Sequence, residues 1–513
     1  MQPARSRDLP FAPVFLVLAA VALAPIWRAR ILPLLDEPNH LSAVFIYHHI
    51  DDPWARLGSF YEVSIPNVPY LAYYLLVHLF AHAVGIEIAN KIVQSAYVLA
   101  IPLAALVWTR RTGRSPWLSI LAFPLAYSFS WSLGFHPFNV GVALFLFTLA
   151  AVDAFLERPR KAAGVAVALL GLACDYGHPL AVLSLYLSVP VLLLAHRPAP
   201  RRLGLTLLLL LPGAALFAWQ VLHPQVAWVA PPQATEGPRV VFEHMPAEYM
   251  LRYFPEHTLE TVSGPRDLEA FWVLVGSAVL LLAAGVLARD KGARFTGSGF
   301  VFRYRAALLA LLMLGLYFAV PYQLERPFAW WFVGGRFAPL ACFFAFLVPS
   351  GDVRGRKVFL FAPALLVALA LPLHISSKYA AFNERARPFV RMVARARPGT
   401  DILFLSMLPR TDPAVNWEVY NQMAAWVQIL HGGYSPSGWF DTNSLFKVVR
   451  HLPAPPHRQQ EWFNPDVHAG PYHYIIVRNE PRPLFGDAPS PFHLVDEEGE
   501  WKMYARDGEP SPE

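Results

Sequence analysis

Charge is scarce in this 513-residue chain: 15% of it is charged and 55% is hydrophobic, whereas soluble domains carry roughly 25% charged residues. So little polar surface excludes an ordinary soluble fold. Cysteine is nearly absent, and the two present, Cys174 and Cys342, lie in apolar surroundings. That excludes a disulfide framework and makes each a small buried hydrophobe. The net charge of +6 comes without a long basic tract. Its arginines gather between apolar runs instead, so nucleic acid is not an expected partner. The polar C-terminal part lacks a zinc-ligand spacing, a phosphate loop and a nucleophile elbow. The absence of an internal repeat also argues against the paired halves of a transporter.

What the chain has is apolar length. Candidate spans fall at 11–27, 68–84, 91–108, 117–133, 137–156, 162–174, 178–195, 203–222, 269–288, 304–320, 329–348 and 357–373. Several reach the roughly 20 residues that a helix rising about 1.5 Å per residue needs to cross a bilayer. The piece 162–174 is too short to cross alone and reads as re-entrant or interfacial. Arg5 and Arg7 precede 11–27, but its length and the lack of a small-residue cleavage site make it a retained span. The expected fold is an all-α polytopic membrane protein of about 11 to 13 transmembrane helices. A small α/β or α+β domain follows it, with residues 1–373 in the membrane and 374–513 outside it.

Positive loops recur at Arg110, Arg111 and Arg114, at Arg158, Arg160 and Lys161, and at Arg197, Arg201 and Arg202. Two more groups are Arg289, Lys291 and Arg294, then Arg354, Arg356 and Lys357. If all face the cytoplasm, loop 223–268 and everything after Leu373 lie on the opposite side. Parity then fails by one upstream. Either the Arg110 group is external, or one early or short apolar run does not cross. Two further segments read as interfacial helices: Leu41 to Ile50, and 379–397, where Arg385, Arg387, Arg391, Arg395 and Arg397 interleave with apolar residues. Strand-like runs occur at Ile402 to Leu405, Tyr474 to Val477 and Trp501 to Tyr504. Loop 223–268, with Glu243, His244, Glu248, Arg252, Glu256 and His257, either folds over a site or caps the surface.

The sharpest chemical signal is Leu35, Asp36, Glu37, Pro38, Asn39 and His40, directly after the first span. On a helix Asp36 and His40 share a face, which suits a paired base or part of a metal site. The plain alternative is that Asp36 caps a helix beginning near Pro38. A second signal is Arg336, which interrupts the apolar run from Trp330 to Leu347. An arginine there needs an anion, a carbonyl or water, and its planar fork suits phosphate unless it merely snorkels. Neighbouring Gly334 and Gly335 allow close approach of a helix or ligand. Breaks at Asp175 and His178, and at His136 and Asn139, are either ordinary loops or further groups of one cleft with Asp36.

The stretch from Asp36 to His40 after the first span, with Pro66, Asn67, Val68, Pro69 and Tyr70 leading into the next apolar run, resembles the first external loop of the GT-C superfamily of integral-membrane glycosyltransferases. The resemblance covers residues 11–373. It implies a bacterial inner-membrane, multi-pass enzyme with an extracytoplasmic C-terminal domain. It further implies sugar transfer from a polyprenyl-phosphate or polyprenyl-diphosphate carrier to an unidentified acceptor, with membrane lipids as the other partners. By position Asp36 matches the catalytic acidic residue of the first loop, with Glu37 as its rival. Members with an oligosaccharyltransferase pattern hold a divalent metal through later acidic motifs, and this sequence has no clear second Asp-containing motif of that type, so no cofactor is certain and a divalent metal is still open. The residues fit a single inverting displacement, with Asp36 taking the acceptor proton, His40 tuning it and Arg336 neutralising the leaving phosphate. A lipid or solute transporter or flippase, and a noncatalytic membrane scaffold, are the other classes.

Overall fold

The computed structural model describes residues 11–63, 70–223, 241–287, 297–326, 330–349, 355–436, 445–486 and 490–509. Arg5, Arg7, Pro66, Asn67, Val68, Pro69, Arg289, Lys291, Arg294 and Arg354 lie outside these residues. Seven helices among them are long and apolar enough to cross a membrane. Shorter or broken pieces make the remaining traverses.

Helices α1 (Phe11–Ala22) and α2 (Ala24–Arg28) form the first span. Then come α3 (Glu37–His49), β1 (Tyr61–Val63), α4 (Leu71–Val84) and α5 (Ile86–Arg111). Residues 117–133, expected as one span, are not a single helix. Pro116 and Pro124 open two 3-10 stretches, Pro116–Ala122 and Pro124–Tyr127, followed by the single turn α6 (Phe129–Ser132). Proline lacks the N–H that would continue the ladder, so the helix restarts at each one. The broken segment still runs the length of the first span: Phe11 packs on Trp117, Phe15 on Phe123, and the Tyr127 hydroxyl donates to the Ala22 carbonyl.

Helices α7 (His136–Glu157), α8 (Lys161–Gly177), α9 (Pro179–His196) and α10 (Pro200–Leu222) then zigzag through the bundle. The 17 residues of α8 pack against α7 and α10. At about 25 Å long, α8 traverses instead of lying re-entrant as 162–174 suggested. Beyond β2 (Val241–Glu243), α11 (Ala247–Arg252) and α12 (Phe254–Leu259) come α13 (Arg266–Leu287), α14 (Gly297–Arg303) and α15 (Arg305–Ala319). Strand β3 (Gln323–Arg326) pairs with β2, and α16 (Ala338–Phe346) and α17 (Ala362–Arg395) complete the bundle.

The two ends of the bundle differ chemically. At one, Asp153 of α7 is fully buried and accepts from Arg111 of α5 at 2.7 Å and from His196 of α9 and Arg305 of α15 at 2.8 Å. Arg202 of α10 donates to the Leu156 carbonyl at 2.7 Å, and Arg114 to the Arg303 carbonyl at 3.0 Å. At the other end the Leu35 and Asp36 amides donate to the Ser132 and Leu133 carbonyls at 3.2 and 3.0 Å. There Lys91, at the start of α5, reaches the Ala29 carbonyl at 2.6 Å. Helix α4 stays at this second end. Its 14 residues make about 21 Å against a hydrocarbon thickness of roughly 30 Å. Hydrogen bonds between Tyr74 and His40 and from Tyr73 to Asn90 anchor it to the starts of α3 and α5. The run 68–84 is therefore the early one that does not cross. Parity is restored, with Arg111 at the same end as Arg202 and Arg305.

The C-terminal domain comprises β4 (Ile402–Ser406), α18 (Ala424–His431), β5 (Phe446–Val448), α19 (Pro465–His468), β6 (Tyr474–Arg478), β7 (Phe492–Glu498) and β8 (Trp501–Arg506). Its sheet runs β4-β6-β8-β7, with β4 parallel to β6 and the other pairs antiparallel. Helix α17 continues unbroken through Leu373 into this domain, where Phe389 packs on Phe404 and Trp501. The arginines expected along lipid headgroups instead meet acids: Arg385 pairs with Asp412, Arg391 with Asp496 and Glu498, and Arg395 with Asp496. The first loop is likewise sewn to this domain. Strand β1 pairs with β5, and Ser42 of α3 donates to Gln428 of α18 at 2.6 Å. Leu41 to Ile46 are thus buried beneath protein and not laid in the membrane interface.

Candidate active site

The site is built where α3 begins. Pro38 occupies the first turn, where its missing N–H leaves no gap in the ladder. Asp36 stands at the N-cap position but its side chain makes no capping hydrogen bond, which leaves the carboxylate free for chemistry. Its backbone is fixed by Gly134, which has φ +72°. A Cβ there would lie 2.7 Å from the Glu37 nitrogen and 3.0 Å from that of Asp36. Only glycine permits so close a crossing.

The two adjacent acids have different surroundings. Burial pushes the Asp36 carboxyl up to about 7, against the pull of the Arg336 and Arg458 cations. Glu37 is buried and is pushed further, to about 8, against a hydrogen bond from Asn90 and the Lys91 charge. The Asn90 amide donates to one Glu37 oxygen at 2.5 Å, and the other oxygen has no partner. At neutral pH Glu37 is therefore mostly protonated inside a polar network with Asn90 and Tyr73, while Asp36 is about half ionised. His40, one turn on, is held down to about 3 by burial and then by Arg336, so its ring is neutral. Its Nδ1 lies 2.7 Å from the Tyr74 hydroxyl.

Arg336 sits in the turn Gly334–Phe337 that opens α16 and is 5% exposed. One terminal nitrogen donates to the Trp331 carbonyl at 3.0 Å, the guanidinium lies 3.8 Å from the centre of the Phe135 ring, and Nε has no partner. It thus retains donors for an anion. The His136 ring lies 5.8 Å from that of His40 and 5.0 Å from that of Tyr73, with both nitrogens unpartnered. His178 caps α9, its Nδ1 accepting from the Leu180 amide at 3.1 Å, with its ring against Trp330 and Phe138. The structure therefore gathers Asp36, Glu37, His40, His136, His178 and Arg336 at one end of the bundle. Asp175 lies apart, facing Tyr186 and Gly213 between α8, α9 and α10.

Sequence reasoning missed two contributors. Arg458, an exposed residue of the C-terminal domain, lies within electrostatic reach of Asp36. An aromatic wall formed by Phe129, Phe332 and Trp417, with ring centres 5.3 to 5.7 Å apart, stands beside Ser132, whose hydroxyl accepts from the Trp417 indole at 3.2 Å. Phe332 adopts φ +58°, a conformation a bulky residue takes only where its surroundings enforce it. No sequence pattern marks either feature, because both arise where the C-terminal domain meets the bundle. An apolar cavity of about 480 Å³ opens between α13, α15 and α16, lined by Phe254, Phe271, Leu311, Leu314, Ala341 and Phe346.

As to metals, no group of three ligand-type side chains among the described residues includes Asp36 or His40. Among the described residues the group that could hold a divalent ion is His48, His78 and His82, at the far end of α3.

The architecture defines a multi-pass helical membrane protein with a small mixed-sheet domain over one end, and full-length comparison finds solved structures of similar fold. The chain is similar to ArnT from Cupriavidus metallidurans bound to undecaprenyl phosphate, with 11% identity, 96% of this chain and 98% of that one covered, and a TM-score of 0.50. The apo state of the same protein gives 9% identity, 96% and 97% coverage and a TM-score of 0.49. The apo Archaeoglobus fulgidus oligosaccharyltransferase gives 11% identity, 91% and 69% coverage and a TM-score of 0.43. No family model and no curated protein matches the chain. At such identities the likeness is one of fold.

Proposed function

We propose that this protein is a membrane glycosyltransferase that moves a sugar from a polyprenyl-phosphate or polyprenyl-diphosphate carrier to an extracytoplasmic acceptor, with inversion at the anomeric carbon. The observation that carries this reading is Asp36: an uncapped carboxyl with a pKa near neutrality, flanked by the cations Arg336 and Arg458, at the end of the bundle covered by the soluble domain. A base tuned near the working pH combines a useful ionised fraction with useful proton affinity. Asp36 takes the proton of the acceptor hydroxyl as its oxygen bonds to the anomeric carbon. The bond to the carrier phosphate breaks with its electron pair, and Arg336 and Arg458 offset the charge left there. Likeness of fold to a structure bound to undecaprenyl phosphate supports a polyprenyl carrier, as does the apolar cavity lined partly by α16.

Orientation follows from the basic end. Arg111, Arg114, Arg202 and Arg305 gather there, so the positive-inside rule puts that end in the cytoplasm and the C-terminal domain outside. A protease added to spheroplasts should remove a tag placed after Glu513. Protection until the membrane is broken would reverse the orientation.

The function is tested with purified protein and a panel of polyprenyl-phosphate sugars, reading release of the lipid phosphate with water as a slow acceptor. Donor-dependent release that Asp36→Asn abolishes supports the reading. Unaltered lipid-linked sugar accompanied by movement of the lipid across a vesicle bilayer would make the protein a transporter.

A further inference from the structure

Away from Asp36, the last turn of α3 meets the last turns of α4 through histidines. The rings of His48 and His78 are 5.0 Å apart, those of His48 and His82 4.7 Å, and those of His78 and His82 4.7 Å. One nitrogen from each lies within 4.8 Å of the others. We propose that His48, His78 and His82 bind one zinc-class divalent ion that fastens the end of α3 to α4.

The donor set selects the metal class. Three imidazoles and no carboxylate suit zinc and its neighbours, and do not suit calcium or magnesium, which want oxygen. His78 and His82 are one turn apart on α4, the spacing by which a helix offers two ligands to one ion. Zinc to nitrogen distances of about 2.0 to 2.1 Å in a tetrahedron put ligand nitrogens about 3.3 Å apart. The shortest contacts are 3.1 Å between His48 and His78 and 3.3 Å between His78 and His82. His78 turns a different nitrogen to each neighbour, so one ion requires the exposed His82 ring to rotate toward the nitrogen that faces His48. A fourth position remains for water. The Asp52 carboxylate, bonded to His49 at 2.6 Å beside this group, supplies nearby negative charge.

The placement gives the ion a task. His40 meets Tyr74, and eight residues along both helices His48 meets His82, so α3 and α4 run side by side from the start of α3 to the histidines. An ion here would stiffen the helix pair whose first residues hold Asp36, without touching substrate.

The experiment uses the full chain purified without a histidine tag and freed of metal by chelation. Zinc alone is titrated by calorimetry, metal content is counted after dialysis, and cobalt absorption reports the coordination geometry. Wild type should take one ion per chain, with tetrahedral cobalt bands and a raised melting temperature. His82→Ala, an exposed change that leaves the metal-free melting temperature unchanged, should weaken binding by more than the roughly 10- to 100-fold that loss of a mere outer-shell partner costs. His48→Gln should do the same, whereas the remote His493→Ala should bind as wild type. Absence of zinc uptake by folded wild type, or wild-type affinity in both His82→Ala and His48→Gln, would overturn the site. Sugar transfer by Asp36 uses none of these histidines, so either result leaves that reading to its own test.

Discussion

Replacing Asp36 with asparagine keeps the volume of the side chain and one acceptor oxygen, and removes the base. General-base catalysis is worth about 10² to 10⁴-fold, so transfer should fall by that factor while donor binding and folding persist. The pH profile makes the test specific. Burial places the Asp36 carboxyl at about 7, so only about one tenth of it is ionised at pH 6 and about nine tenths at pH 8. Turnover that needs the ionised form should therefore rise about tenfold between these values and level off above them. A carboxyl at its ordinary value would be fully ionised throughout and give a flat line.

Arg336 supplies an internal check. Its charge pulls the Asp36 carboxyl down, so Arg336→Ala should move the rising limb to higher pH. Arg336→Lys keeps the charge and loses the planar fork. That variant should leave the limb near its wild-type position while lowering kcat/KM for the lipid donor. The assay is initial-rate transfer from a radiolabelled polyprenyl-phosphate sugar across pH 5.5 to 8.5, with folding checked by melting. Near-normal transfer by Asp36→Asn, or a flat wild-type profile, would refute the reasoning. Loss of transfer in Glu37→Gln with Asp36→Asn active would move the base one residue along.

Glu37 should behave differently from its neighbour. Its folded pKa is raised from 4.5 to about 8, so the folded state holds the extra proton and stability falls as pH climbs through that window. Glu37→Gln should flatten this fall in a melting series from pH 5 to 8.5 and retain transfer. Asp153→Asn strips the charge that Arg111, Arg305 and His196 share at the basic end. Breaking a buried pair costs about 3 to 5 kcal/mol, to be read as a lower melting temperature without a shifted pH profile in the folded fraction. Gly134→Ala forces φ +72° on a residue with a Cβ that would press on the Glu37 amide. It should lower turnover more than donor affinity by displacing Asp36, and normal kinetics in a folded Gly134→Ala protein would mean that this crossing does not position the acid.

Apolar length and the punctuation of charge made the membrane bundle legible, since crossing a bilayer requires both. The strands at 402–405, 474–477 and 501–504 were legible as apolar runs, and they fall within β4, β6 and β8. The first loop was read one residue at a time, and there the limits were physical. A largely apolar run of 17 residues at 68–84 has the composition of a span, yet α4 is held at one end of the bundle by hydrogen bonds of Tyr73 and Tyr74 that hydropathy does not register. Conversely, 117–133 traverses although Pro116 and Pro124 break it, because Phe11, Phe15 and Ala22 of the first span pack along it. Amphipathicity misled at 379–397 for a related reason. A row of arginines satisfies anionic headgroups and aspartates equally well, and Asp412 and Asp496 lie far along the chain.

The same reasoning explains why Asp36 could be nominated from sequence while its partners could not. Its height is set locally, by Pro38 in the first turn of α3 and by the end of the first span a few residues earlier. Its pKa is set by what closes over it: burial, Arg336, and Arg458, which lies more than 400 residues downstream in the C-terminal domain. That domain is held down by β1 pairing with β5 and by Ser42 and Asn39 bonding to Gln428 and Gln422 of its helical face. Loosening the domain would admit water to Asp36 and remove Arg458 together. Desolvation is the larger of the two influences, so the carboxyl would fall toward its ordinary value and lose proton affinity as a base. A double substitution, Ser42→Ala with Gln428→Ala, touches no group assigned to substrate and removes this stitch together with the bonds from Gln428 to Tyr61 and the Gly433 carbonyl. If the domain acts as the lid that tunes Asp36, the rising limb of the pH profile should move to lower pH and the plateau rate should drop. An unchanged profile in a folded double variant would confine the domain's role to stability.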